Sequence, residues 1–435
     1  HLKKVPENTM CTWPGCEIKI EHTPELERNP RPMYRKQYNQ PRSRMVKMTT
    51  NLKEQLKCGQ ACIHDPKNPY HGPIGIYNVP VLGVESEEPP TPPEEPKCRS
   101  TFDMTGTNVG LINLDRFKIA LGSHVLERLG RGKIFSEIDL KSAFYQIPIH
   151  KDSIKKMAFT WENQHYIFLR APMGMTHVPS HFSRVMSEIF EQMDFVVIYL
   201  DNIWIATEVD DEELHYRQVR QVVERLTEFG LRANPKKCKF LRRVLVALGH
   251  LVSTTGRTID PAKKDSIMAI PLPRSFKELS SFVGMTVYVM QYIPGYAELV
   301  YELHQMLKQE GKRVEAKPSK LKGPVWTQVA IDSFEKLKLA VGNAVILQNV
   351  DWEKPFAINI DASTHGVGSV LFQPSEPEGM LTKDNIISFR AHALRNYEVG
   401  YAGSPYKLEL LGLVRALQDY ADFLVGRHFV VYTDH

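Results

Sequence analysis

Short apolar runs alternate along this chain with helix-length amphipathic stretches, and two of the runs carry a bare carboxylate. Lys133-Ile-Phe-Ser-Glu-Ile-Asp139-Leu140 reads as a strand ending on an acid. Val196-Val-Ile-Tyr-Leu200-Asp201-Asn202-Ile-Trp-Ile205-Ala206 reads as a hairpin whose apolar arms flank one polar pair. Between them the pattern predicts a helical turn stopped by Pro148, a hairpin near Lys156–Leu169 and a helix over about Pro179–Glu191. A helix from about Asp210 to Phe229 ends at Gly230, the usual position for a left-handed C-cap residue. Ser275-Phe-Lys-Glu278 is a capping box opening a helix through Tyr292, which Pro294 follows. The last block predicts three strands, a helix and a strand: Phe356–Asp361, Gly368–Gln373, Ile386–Arg390, Ser404–Leu424 and Phe429–Tyr432.

The flanks are less regular. Residues 1–50 are polar and rich in Pro, Arg and Lys; they predict an extended lead-in, with a short helix near Thr49–Leu56. A turn-rich segment, Pro66 to Pro73, introduces a strand-like run from Ile74 to Val84. Glu85 to Pro96 holds five Glu and five Pro and predicts a solvated loop. Residues 308–324, rich in Lys and Gly, predict a connection between units.

Composition narrows the class. At 435 residues and 42% hydrophobic, the chain has core material for about two to four structural units. It holds no run of 18 or more apolar residues and no secretory signal pattern, so neither a membrane span nor export is expected. A start at His1 rather than Met suggests a product cut from a longer precursor. Net charge is only +5, so any polyanion-binding argument must rest on where the charge sits. Six cysteines are few for a disulfide framework and suit a reducing setting. Cys11-x₄-Cys16 and Cys58-x₃-Cys62 lack the usual zinc-knuckle spacing, which favours buried thiols over a zinc site.

Burying an ionised carboxylate costs several kcal/mol unless a cation or donor compensates it. Two acids converging from two strands, Asp139 and Asp201, are what a divalent-metal phosphoryl-transfer centre requires. In-line nucleotide transfer uses two ions about 3.5–4 Å apart, and oxygen ligands suit Mg²⁺. Taken alone, Asp201-Asn202 reads equally well as a tight hairpin turn. Leu231 to Arg243 holds six basic residues, among them Lys236, Lys237 and Lys239, and no acid; it reads as a phosphate-contacting surface or as a solvated loop. Near the C-terminus, Asp361 ends a strand, Glu409 opens an otherwise apolar helix face (Leu413, Ala416, Tyr420), and Asp434 follows the last strand.

In combination these motifs resemble the reverse transcriptases of long-terminal-repeat elements, most closely gypsy-type retrotransposons. The resemblance rests on Phe135-Ser-Glu-Ile-Asp139-Leu-Lys-Ser-Ala-Phe144-Tyr-Gln146-Ile and Phe168-Leu-Arg-Ala-Pro172-Met-Gly174-Met-Thr-His-Val-Pro179. Tyr199-Leu-Asp201-Asn202 and Leu248-Gly249-His250 follow in the family's order. It covers roughly residues 60–435 and implies RNA-directed DNA polymerase and ribonuclease H activity. By it, Asp139, the Leu140 carbonyl and Asp201 hold metal, and Asn202 stands where the family has a second aspartate. Phe144 meets the sugar of the incoming nucleotide, and Arg99 holds its triphosphate. Pro172 and Gly174 line the nucleotide and template side, and Gly249 grips the primer end. Asp361, Glu409 and Asp434 resemble the metal-binding acids of the ribonuclease H domain. Family lysines fall on Tyr77, Asn78 and Val79, and a family arginine on Thr105. With Asn202, these departures imply that DNA synthesis is strongly reduced or absent.

The expected fold is α+β: a right-hand polymerase of fingers, palm and thumb, with a connection and a truncated ribonuclease H-like α/β domain. Its expected boundaries are an extended lead-in over 1–50, fingers and palm over 51–250, thumb over 251–310, connection over 311–353 and an incomplete ribonuclease H-like domain over 354–435. Expected ligands are an RNA template, a DNA primer, an RNA–DNA hybrid, deoxynucleoside triphosphates and Mg²⁺, with Mn²⁺ as an alternative. Expected location is the cytoplasm, within intracellular particles, or else the nucleus. The competing reading is a catalytically silent derivative acting as a nucleic-acid-binding or scaffold protein. Oligomeric state is not legible.

Overall fold

The computed structural model describes residues 8–85, 98–112, 114–314, 323–363, 366–376, 379–394, 398, 400–401 and 404–433. The chain divides into two compact units, one of residues 1–125 and 134–242, the other of residues 126–133 and 243–435.

In the first unit, α1 (Arg42–Lys57) starts seven residues before the predicted Thr49, directly after Pro41. It buries Met48 and Leu52 and turns a Lys/Arg-rich face outward. Strands β1 (Val81–Glu85) and β2 (Cys98–Phe102) form a hairpin. The strand expected from Ile74 begins only at Val81, because Pro73 and Pro80 cannot donate to a ladder. The acidic, Pro-rich loop expected over 85–96 lies outside the described residues beyond Glu85.

Strand β3 (Ile134–Asp139) is central to the unit. A 3₁₀ turn (Ala143–Gln146) follows it, then the hairpin of β4 (Ala158–Trp161) and β5 (Gln164–Phe168). Helix α2 (Val178–Ile189), the hairpin of β6 (Val196–Tyr199) and β7 (Asn202–Thr207), and helix α3 (Glu212–Glu228) come next. Asp211 caps α3 by accepting from the Glu213 and Leu214 N–H groups at 2.9 and 3.0 Å. Strand β8 (Lys239–Arg242) completes an antiparallel sheet of order β8-β3-β7-β6. Ile138, Ile203 and Ile205 share one large core with Phe182, Met186, Val222 and Leu226 from α2 and α3. The lead-in belongs to that core as well: Cys11, Cys16, Ile18 and Ile20 are buried, and the Cys11 N–H donates to the Gln146 carbonyl at 2.8 Å.

The second unit opens with a meander, β9 (Val244–Ala247), β10 (His250–Ser253) and β11 (Gly256–Ile259). Helices α4 (Phe276–Val289), α5 (Tyr296–Val314) and α6 (Gln328–Gly342) follow; α6 lies in the stretch read only as connection. The capping box is present in altered form: Ser275 Oγ accepts from the Glu278 N–H, while Glu278 Oε2 accepts from the Arg274 N–H rather than from residue 275.

The final block follows its predicted order, except that the single helix expected over Ser404–Leu424 is divided into Pro405–Asp419 and Ala421–Leu424. Strands β12 (Phe356–Ala362), β13 (Gly366–Phe372) and β14 (Ile386–Ala393) are antiparallel neighbours. After helix α7 (Pro405–Asp419), strand β15 (Phe429–Tyr432) pairs parallel to β12, giving the order β14-β13-β12-β15. A parallel neighbour requires a crossover, and α7 supplies it. No helix among the described residues is long and apolar enough to cross a membrane.

Candidate metal centres

Register brings the first pair of acids together. In the β3–β7 ladder Asn202 is the direct partner of Asp139, and Ile203 of Ile138. Asn202 also pairs with Tyr199 across the β6–β7 hairpin, so Leu200 and Asp201 alone form the turn. Leu200 takes φ +54°, a left-handed conformation that costs a non-glycine residue about 1–2 kcal/mol and marks a turn held by its surroundings. A buried polar network fixes the register below. His215 on α3 bonds Ser136 of β3 at 2.7 Å through Nε2 and Thr207 of β7 at 2.6 Å through Nδ1.

Burial pushes the Asp139 carboxyl above its ordinary range; the Lys237 ammonium, 3.7 Å from Oδ2, opposes the shift, and Asp201 and Glu137 add to it. Two bonds hold the strand end after Asp139. The Asn234 N–H donates to the Asp139 carbonyl at 2.8 Å and the Lys141 N–H to the Arg232 carbonyl at 2.9 Å. They flank the Leu140–Ala233 bridge, so the Leu140 carbonyl takes no part in it. Beneath sits Gln146, 0% exposed. Its Nε2 donates to the Lys141 and Arg232 carbonyls at 2.8 and 3.0 Å, and its Oε1 accepts from the Arg232 N–H at 2.6 Å. Sequence reasoning gave Gln146 no role, although a polar residue in a Phe-Tyr-Gln-Ile run was the available signal.

The donor set at this strand end is all oxygen: two carboxylates, the Leu140 carbonyl and the Asn202 amide. That chemistry fits a hard divalent cation. Among the described residues no three His, Cys, Asp or Glu side chains converge on one point. An ion here would therefore draw most of its shell from water and phosphate oxygens, as Mg²⁺ commonly does.

Phe144 lies in the 3₁₀ turn after β3, edge-on to Phe182 at 5.5 Å. Arg99 is exposed on β2. Asp103 just beyond accepts from the Thr105 N–H and hydroxyl and from Tyr38 at 2.7 Å, with Arg35 at 3.7 Å; these bonds, Thr105 first, hold its carboxyl low. Pro172 is buried, and the Gly174 carbonyl accepts from Asn108 at 2.9 Å.

Tyr77, Asn78 and Val79, the positions on which the family lysines fall, are buried, and Asn78 donates to the Arg35 carbonyl. In the basic run 231–243 Arg232 is buried, while Lys236, Lys237, Lys239, Arg242 and Arg243 are exposed; Lys239 pairs with Glu137 at 2.9 Å and Lys237 faces Asp139 at 3.7 Å. The cysteines form no metal cluster among the described residues; Cys16 donates its thiol to the Cys11 carbonyl.

In the second unit, Leu248 and Gly249 form the β9–β10 turn with φ +50° and +70°, a two-residue hairpin for which glycine is favoured. Tyr288 on α4 donates its hydroxyl to the Leu248 carbonyl, and the Lys263 ammonium lies 3.5 Å from the Tyr288 ring centroid.

The C-terminal acids are arranged differently. Ile358 and Ile360 face α7 in a shared core, so the pleat turns Asp361 to the opposite face. There it lines a cleft of about 230 Å³ with Asn359, Arg390 and the 293–298 loop. Glu409 lies on the sheet-facing side of α7 and accepts from the Thr433 hydroxyl at 2.5 Å. Residue 434, the third predicted acid, lies outside the described residues.

Comparison with known proteins identifies two domains in the chain. Residues 89–267 match the family described as reverse transcriptase (RNA-dependent DNA polymerase). Residues 326–431 match the RNase H-like domain found in reverse transcriptase. The Pol polyprotein of transposon 297 from Drosophila melanogaster is 32% identical over 406 residues, covering 93% of this chain and 35% of the relative. That of transposon gypsy, from the same species, is 28% identical over 392 residues, covering 89% and 36%. The chain thus spans little more than a third of these relatives. A foamy viral protease-reverse transcriptase solved with an RNA/DNA hybrid superposes with a TM-score of 0.74 at 25% identity, covering 92% of this chain and 49% of that one. A second foamy viral structure, with double-stranded DNA, gives 0.76 at 24% identity, covering 92% and 64%, and speaks for the fold. Both matched domains are of kinds that work with divalent metal ions. The chain thus carries a reverse transcriptase domain followed by a ribonuclease H-like domain, similar to the corresponding region of retrotransposon Pol polyproteins that include that of gypsy.

Proposed function

We propose that this chain copies RNA into DNA at Asp139 and Asp201 and that its C-terminal domain removes the RNA strand of the resulting hybrid; Asp361, Glu409 and Asp434 are the acids the family resemblance assigns to that step, although the sheet turns Asp361 to the face opposite α7. The observation that carries the first half is the register of Asn202 on Asp139, which sets Asp201 beside it at one strand end. Mg²⁺, or Mn²⁺ in its place, supplies Lewis-acid activation of the attacking hydroxyl and charge neutralisation of the phosphates. Asp139, Asp201 and the Leu140 carbonyl hold it.

Phe144 excludes a 2′-hydroxyl and so favours deoxynucleotides. Arg99 takes the triphosphate, and Lys236 contacts backbone phosphate. Lys237 and Lys239 do so on leaving their carboxylate partners. Pro172 and Gly174 line the template side, and Gly249 presents the primer end. In this reading residues 51–250 serve as fingers and palm, 251–310 as thumb, 311–353 as connection and 354–435 as the nuclease domain. The setting is a cytoplasmic particle, with the nucleus as the alternative.

Asn202 makes this copy slow, since a neutral amide replaces one negative oxygen ligand of three. Primer extension on an RNA template, parent against Asn202→Asp, tests the reading. The revertant is expected to be about 10–100-fold faster, equivalent to about 1.4–2.7 kcal/mol of transition-state stabilisation. Equal rates would refute the role given to Asn202. No extension by either protein, with hybrid binding intact, would favour the silent scaffold instead.

A further inference from the structure

Residues 28–57 contain nine Lys or Arg and a single acid, Glu54. The rest of the chain has 46 basic and 49 acidic side chains, so the positive excess of the whole protein resides in this one segment. On α1, Arg42, Val46, Thr50, Lys53 and Lys57 recur at helical spacing and form one exposed stripe, opposite the buried Met48 and Leu52. From Arg42 to Lys57 that stripe runs about 22 Å, the length of several nucleotides. Arg31, Lys36, Arg42, Lys53 and Lys57 are exposed and have no acidic partner among the described residues. Two aromatic rings interleave with them, Tyr34 at 43% and Tyr38 at 41% exposure. Arg35 and Tyr38 both reach Asp103, which ties the segment to the end of the strand that carries Arg99.

We infer that residues 31–57 form a binding strip for single-stranded nucleic acid, a partner class that rests on the polymerase reading above. Cations spaced along a helix neutralise successive phosphates without regard to sequence. Open aromatic faces add stacking, which only unpaired bases can offer. The rings therefore select a single strand over a duplex, and an unpaired template stretch ahead of synthesis has that chemistry.

The test measures anisotropy of a labelled mixed-sequence single strand and of a blunt duplex across a salt series. The full chain is compared with the triple variant Arg42→Gln, Lys53→Gln, Lys57→Gln. With three cations neutralised, the slope of log K against log salt for the single strand should fall by about 2, at about 0.7 per phosphate. Tyr34→Ala should weaken single-strand binding about tenfold and leave the salt slope unchanged. The altered side chains are exposed, so thermal melting should not move. An unchanged single-strand slope in the triple variant, with the parent binding normally, overturns the strip alone. Equal losses on the blunt duplex, or displacement by polyglutamate as effective as by oligonucleotide, overturn it too. A parent that binds neither nucleic acid overturns both the strip and the polymerase reading.

Discussion

The two sets of acids are placed by opposite means. At the palm, Asp139 and Asp201 are set by a ladder in which each backbone pair fixes the next, and His215 pins the same strands from behind. At the C-terminal domain, Asp361 lies on one face of a sheet and Glu409 on a helix covering the other. The first site can fail only by a slip of register, which would move a whole apolar set out of the core. The second fails if one helix shifts. Register is the sturdier device, and it holds Asn202 directly opposite Asp139.

The largest expected effect separates the centres chemically. Asp139→Asn should lower DNA synthesis by on the order of 10³-fold, several kcal/mol of lost charge stabilisation, and leave hybrid cleavage by the same preparation untouched. Glu409→Gln should do the reverse. Parallel primer-extension and hybrid-cleavage assays read both. A variant that abolishes both activities would mean the centres are not independent.

Acid should separate the units next. Five histidines of the first unit (His22, His71, His165, His177 and His181) have pKa values lowered chiefly by burial. In the second unit His250, brought down to about 4, and His304 are lowered in the same way. A histidine kept neutral in the fold but protonated once unfolded withdraws stability as pH falls below about 6.5, by at most about 1.4 kcal/mol per pH unit each. Stability is full above that value and lost below it. The first unit should therefore lose more than the second between pH 7.5 and 5. Calorimetry at the two pH values, resolving the unit transitions, checks this; a larger drop in the second unit would contradict it.

How much of this was legible in the sequence follows from range. Strand β3, the β6–β7 hairpin and α3 were readable because apolar period, turn and cap all lie within a few residues of one another. The final block was readable for the same reason. Helix α6 carried a Thr327 cap and apolar spacing at Ala330, Phe334, Leu337 and Val341, yet was read only as connection because its neighbourhood is rich in Lys and Gly. Burial of the Cys11 and Cys16 thiols was expected, but burial of Ile18 and Ile20 was not readable. Each is an isolated apolar residue whose partners, such as Pro148 and Ser153, lie more than 100 residues away. The exposed cations lining α1 were not legible either, because a low net charge for the whole chain concealed a local excess.

The smallest effect probes the weaker of the two designs. Gly412 lies where α7 comes nearest the sheet, and a Cβ there would sit 2.7 Å from Ile360 Cγ2 and 3.0 Å from Val367 Cγ1. Alanine favours a helix by about 1 kcal/mol over glycine, but overpacking of this kind costs about 1–3 kcal/mol. Gly412→Ala should therefore destabilise the second unit by about 1 kcal/mol net and lift the start of α7, with Glu409, from the sheet. Hybrid cleavage should fall several-fold, with DNA synthesis and the melting of the first unit unmoved. If the variant instead gains stability and keeps full cleavage, close approach at Gly412 does not position Glu409, and the contrast between a register-built and a helix-built site loses its sharpest support.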